Sequence, residues 1–136
     1  MLIIFKLSPY FAVMFFIISG FYYFRFKNIK SQIRYVDKSS RKDLAKDYKR
    51  AVTLHCIYGY ISFFQALVHV VTKFHSIILS LSWFLVLLYI IVLISGIYGK
   101  HSKKLLFFNK HWRKIHGFIS ILALLVTVVH ILAAEI

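Results

Sequence analysis

Two segments of the chain share one pattern. Residues 55–69, HCIYGYISFFQALVH, and residues 116–130, HGFISILALLVTVVH, each begin and end in histidine, with small residues at offsets 4, 7 and 11. In the first these are Gly59, Ser62 and Ala66; in the second they are Ser120, Ala123 and Thr127. On an α-helix such offsets share one face, so each segment is a stripe with an imidazole at either end and little side-chain volume between. At 1.5 Å rise per residue the two histidines of a stripe stand about 21 Å apart. A histidine in an apolar helix marks either function or a satisfied packing contact. Four at matched spacings fit axial ligation of haem iron by neutral imidazoles, one from each stripe.

The elements that carry the stripes are membrane helices by composition. The chain has 136 residues, of which 60% are apolar, and a mean hydropathy of +0.75, outside the range of soluble domains. Apolar runs cover residues 7–24, 51–72, 77–99 and 115–134, each close to the 20 residues that cross a hydrocarbon core of about 30 Å. The predicted fold is an all-α membrane protein, a single domain of four transmembrane helices holding two b-type haems between helices 2 and 4. The first run is read as a retained helix and not a signal peptide, because its charges follow it and Phe-Tyr-Tyr-Phe ends it.

Charge then orients the helices. The formal net charge is +14, yet the basic residues lie between the apolar runs, which points to a membrane surface and away from nucleic acid. Ten Lys or Arg fall in the 25–50 loop and six in the 100–114 loop, leaving Lys6 and Lys73 for the opposite side. By the positive-inside rule both basic loops are cytoplasmic and both termini are outside, in a multi-pass protein of a bacterial inner membrane. Helices 2 and 4 therefore run the same way. That brings His55 level with His116, and His69 level with His130, as ligand pairs for an inner and an outer haem.

Other residues take secondary readings. Gly59 and Ser120 lie one turn from the inner ligands and leave room for a porphyrin, although small residues also serve close helix packing. Arg113, three residues before His116, and Lys73, four after His69, are candidate partners of haem propionates; Arg50 and Lys114 are less specific ones. His75, His101 and His111 read as surface residues, His75 alternatively as a proton-exchange group at an outer quinone pocket. Trp83 and Trp112 read as interface anchors, and Gly96 and Gly99 as packing residues. Ile29, Ile33 and Val36 recur at helical spacing, so part of the 25–50 stretch either lies flat on the membrane or is a solvated loop. Ser40 and Asp43 resemble a capping box that starts helix 2 ahead of the membrane. The single cysteine, Cys56, permits neither an internal disulfide nor a CxxCH haem attachment.

With these residues in place the chain resembles the bis-histidine, di-haem cytochrome b proteins. The His pairs on helices 2 and 4 are similar to the haem-bearing half of respiratory and photosynthetic cytochrome b. The stretch 112–130, WRKIHGFISILALLVTVVH, is similar to the haem helix of cytochrome b561-like and ferric-reductase-like membrane proteins. The resemblance implies two b-type haems, transmembrane electron transfer and, often, a quinone partner. Flavin and nicotinamide domains, a Gly-rich nucleotide fingerprint and the long quinone-site loops are missing. The expected role is therefore a non-catalytic electron-transfer and membrane-anchor subunit, working with membrane lipid and other redox subunits. The competing reading is a small transporter or channel subunit whose membrane histidines bind a metal ion or relay protons.

Overall fold

The computed structural model describes residues 2–72, 81–101 and 106–134, with side chains for 7–71, 83–99 and 111–133. The described residues form four α-helices: α1 (Leu2–Gln32), α2 (Lys38–Thr72), α3 (Leu81–His101) and α4 (Leu106–Ala134). The helices divide into two compact units, one of Leu7–Gln65 and one of Ala66–Ile136 with the first six residues.

The first unit is an antiparallel hairpin of α1 and α2. Three contacts fix its register: Ser62 with Ala12, His55 with Ser19, and Tyr48 with Phe26. Each step of seven residues up α1 matches a step of seven down α2, the repeat of an antiparallel heptad pair. The seam is built from small residues. Ser8, Ala12 and Ser19 of α1 are buried, as are Ala51 and Ser62 of α2. With so little side chain between them the backbones approach closely enough for the Ser62 hydroxyl to donate to the Ala12 carbonyl at 2.8 Å. One thicker layer interrupts the seam, where Tyr58 lies between Phe15 and Tyr22 with ring centroids 6.0 and 5.6 Å away.

The basic stretch 25–50 is mostly helix, not loop. The α1 helix continues to Gln32 and ends in a tightened turn, with Tyr35 N–H donating to Gln32 C=O at 2.9 Å. Of the three apolar residues that suggested a flat surface helix, Ile29 is buried within α1, while Ile33 and Val36 fall in the turn that follows it. Helix α2 does begin well before its apolar run, but its cap is Asp37, whose carbonyl accepts from Arg41 N–H at 3.0 Å. Ser40 already lies inside the first turn.

In the second unit α3 packs on α4. Gly99 lies against Trp112 so closely that a Cβ there would collide with the indole ring. One turn further in, Gly96 faces His116. The same register sets the buried Leu88 of α3 level with Ala123 of α4, which is fully enclosed. Trp112 is thus half-buried in a helix contact, in addition to any role at the interface.

Among the described residues three helices are long and apolar enough to cross a membrane: Leu7–Gln32, Lys38–Val71 and His111–Ala133. The described part of α3 offers a shorter apolar stretch, Trp83–Gly99. The outward faces are apolar as well, with Phe21, Phe64, Phe118 and Leu125 all exposed. Phe118 is 70% exposed, a surface suited to lipid rather than water.

Candidate functional site: the histidine stripes

His55 lies in the α1–α2 seam. Its Nδ1 is 2.9 Å from the carbonyl oxygen of Ser19 and 2.9 Å from the Ser19 hydroxyl. The Ser19 hydroxyl in turn donates to the backbone carbonyl of His55 at 3.0 Å. A carbonyl only accepts, and the single hydroxyl proton is committed, so Nδ1 carries the imidazole proton. The lone pair is then on Nε2. Tyr23 and Phe26 flank the ring, with centroids at 6.2 and 5.7 Å. Gly59 faces the same place: a Cβ there would stand 3.5 Å from the Ser19 hydroxyl, in ordinary contact.

His116 repeats this logic in the other unit. Its Nδ1 is 2.9 Å from the Ser95 hydroxyl, which donates to the Val92 carbonyl at 2.9 Å. The Ser95 hydroxyl thus bridges the Val92 carbonyl and the imidazole. Gly96 lets the ring lie against α3: a Cβ there would be 3.2 Å from Cε1 of His116. Trp112 borders the same ring at 6.1 Å.

The remaining stripe residues are accounted for helix by helix. Ser120 donates to the His116 carbonyl at 2.7 Å, and Thr127 to the Ala123 carbonyl at 2.7 Å, so both hydroxyls are satisfied on α4 itself. Gly59 and Ser62 serve the α1–α2 seam, the packing role weighed for such residues. His69, whose Nδ1 is shut off from solvent, is half-buried on α2; His130 is half-buried on α4.

Arg113 is exposed, with its guanidinium carbon 5.6 Å from the Trp112 ring centroid, a cation–π contact that holds it beside the His116 end of α4. Arg50, Lys114 and His111 are exposed. Lys73 and His75 lie outside the described residues, as does the side chain of His101. Among the described residues no three His, Cys, Asp or Glu side chains gather into a metal-binding group.

Ser19 and Ser95 are the site residues that the spacing argument overlooked. A signal for them does exist: Ile-Ser-Gly-Phe-Tyr at 18–22 and Ile-Ser-Gly-Ile-Tyr at 94–98 are the same pentapeptide with one apolar exchange. The first stands midway along α1 and the second near the end of α3, each on the helix that precedes a histidine stripe. No protein-family profile, curated protein or solved structure matches the chain.

Proposed function

We propose that the protein is a di-haem cytochrome b subunit, a membrane-embedded electron carrier in which His55 and His116 hold one haem and His69 and His130 the other. The observation that carries this reading is the state of the two inner imidazoles. Nδ1 of His55 donates to the Ser19 carbonyl and Nδ1 of His116 meets the Ser95 hydroxyl, the kind of second contact that orients an imidazole ligand. The chemistry of the donor set therefore fits the group. The pairing itself rests on the repeated spacing and on the charge-derived direction of helices 2 and 4.

A b-type haem held by two neutral imidazoles supplies one-electron redox chemistry. The chain's own residues supply the rest. Ser19 and Ser95 orient the rings, and the aromatic flank of Tyr23 and Phe26 keeps water from His55. Arg113, held over Trp112, is placed to meet an anionic group at the cytoplasmic end of α4. Electrons enter and leave through other redox subunits or a membrane quinone, and apolar outer faces such as those of Phe64 and Leu125 bind lipid. The basic helix ends at 25–50 and 100–114 face the cytoplasm in this reading, with both termini outside.

The test is a reduced-minus-oxidised visible spectrum of the purified full-length protein with haem quantified per chain. Two b-type haems are expected, with one lost in His55→Ala and the other in His130→Ala. Absence of haem, or a spectrum indifferent to both replacements, would refute the proposal.

A further inference from the structure

The α1–α2 hairpin keeps its heptad register past the apolar runs, out to the layer where Phe26 meets Tyr48. The three register contacts, Ala12 with Ser62, Ser19 with His55 and Phe26 with Tyr48, are all pairs of heptad position a. In an antiparallel pair, positions b and e of both helices border one side of the seam, and positions c and g border the other. Lys27 and Lys30 of α1 and Lys38, Lys42 and Lys49 of α2 all fall on the b/e side, and all are exposed. The acidic residues avoid that side. Asp43 and Asp47 lie on the c/g side, where Arg25 and Arg50 balance them, and Asp37 caps α2 in the turn. One flank of the hairpin is therefore purely basic while the other is neutral by count.

That segregation has a cost. Lys27 and Lys30 are one turn apart on α1, as are Lys38 and Lys42 on α2, and like charges at these spacings weaken a helix. An anionic surface laid along the flank removes the repulsion. Membrane headgroups do not reach far enough to supply it. The apolar part of α2 begins at Ala51, and the helix runs unbroken from Lys38, so Lys42 and Lys38 stand about 14 and 20 Å beyond that point at 1.5 Å rise per residue. The headgroup layer is only about 5–8 Å deep on each side, and an ordinary helix tilt shortens the projection little. Tyr35 at the tip of the hairpin is 87% exposed, and tyrosine is a residue type enriched where proteins meet.

We propose that the b/e flank of the α1–α2 hairpin is a docking surface for an acidic segment of a water-soluble protein, with Lys38 and Lys42 as its outer contacts and Lys27, Lys30 and Lys49 guiding the segment toward the membrane surface. The surface is defined by charge placement and helix length alone, so it is independent of the haem reading.

The experiment measures binding of a fluorescent polyglutamate peptide, by anisotropy, to the full-length protein in nanodiscs. One set of discs is phosphatidylcholine alone and the other contains phosphatidylglycerol in equal part; circular dichroism checks helical content. The peptide is expected to bind in both, and to bind more weakly as salt is raised. The screening length at physiological salt is about 8 Å, shorter than the reach of the outer lysines, so anionic lipid should leave the binding in place. Lys42→Asp combined with Asp43→Lys moves a charge of each sign to the opposite flank while leaving net charge and composition unchanged. It should weaken binding about tenfold through the unfavourable charge it places on the basic side. Lys38→Gln should weaken binding more than Arg25→Gln, although each removes one positive charge. No binding in either disc, an exchange variant that binds like the unaltered protein, or equal effects of Lys38→Gln and Arg25→Gln would overturn the proposal, since total charge and not its placement would then govern. Loss of peptide binding in the phosphatidylglycerol discs would overturn it in favour of lipid. Haem content does not enter these readouts, so failure here leaves the electron-carrier reading standing, and absence of haem leaves this one.

Discussion

Ser19 and His55 hold each other through their backbones: the imidazole Nδ1 lies 2.9 Å from the Ser19 carbonyl, while the Ser19 hydroxyl reaches the His55 carbonyl at 3.0 Å. The exchange joins two helices by hydrogen bonds at a half-buried position. It also makes the histidine part of the packing.

The seam that brings these residues together should be sensitive to volume. Ser62 is 1% exposed and donates to Ala12 at 2.8 Å. Ser62→Ala is expected to cost about 1 kcal/mol, one neutral hydrogen bond. Ser62→Leu should cost about 1–3 kcal/mol through overpacking, measured by unfolding in mixed micelles. A Ser62→Leu variant as stable as the unaltered chain would show that the seam is not closed at this layer.

Gly99 gives a second test of packing. A Cβ at this position collides with the Trp112 ring, so Gly99→Ala must displace the indole. In a Trp83→Phe background the remaining fluorescence reports Trp112, and a shift in its emission is expected on Gly99→Ala, with a loss of about 1–3 kcal/mol in stability. Unchanged emission would contradict the contact.

The proposed pairing predicts which losses coincide. His55→Ala and His116→Ala should remove the same haem, and the double variant should remove no more than either alone. His69→Ala and His130→Ala should together remove the other. Spectra that combine additively within the His55 and His116 pair would break the assignment.

Topology can be read from the turn between α1 and α2. Tyr35 there is 87% exposed. A Tyr35→Cys variant in a Cys56→Ser background should react with a membrane-impermeant maleimide only when the cytoplasmic face is open. Labelling in intact cells would reverse the orientation drawn from the basic residues.

Much of this architecture is visible in the chain itself. Apolar runs are long because a bilayer core offers the backbone no partner outside its own helix, and so all the described elements outside the 33–37 turn are helical. The early start of α2 was visible too, though not its cap: Asp37 and Ser40 are both acceptable capping residues, and only the hydrogen bond from Arg41 separates them. The 25–50 stretch was harder, because its charges suit a loop as well as two helix ends. The structure resolves it into two helix ends, α1 running on to Gln32 and α2 starting at Lys38.

The sequence alone determined the periodicity of the histidine stripes, since the helical repeat turns spacing into a shared face without reference to any neighbour. It could not determine what that face meets. Gly59 and Ser62 suit a porphyrin or a helix equally well by size, and the hairpin register assigns them to α1. Ser19 and Ser95 lie 36 and 21 residues from their histidines, so their role rests on contacts that only the packing of one helix against another creates. At His55 the position of the ring proton follows from those contacts too, because the Ser19 carbonyl facing Nδ1 can only accept.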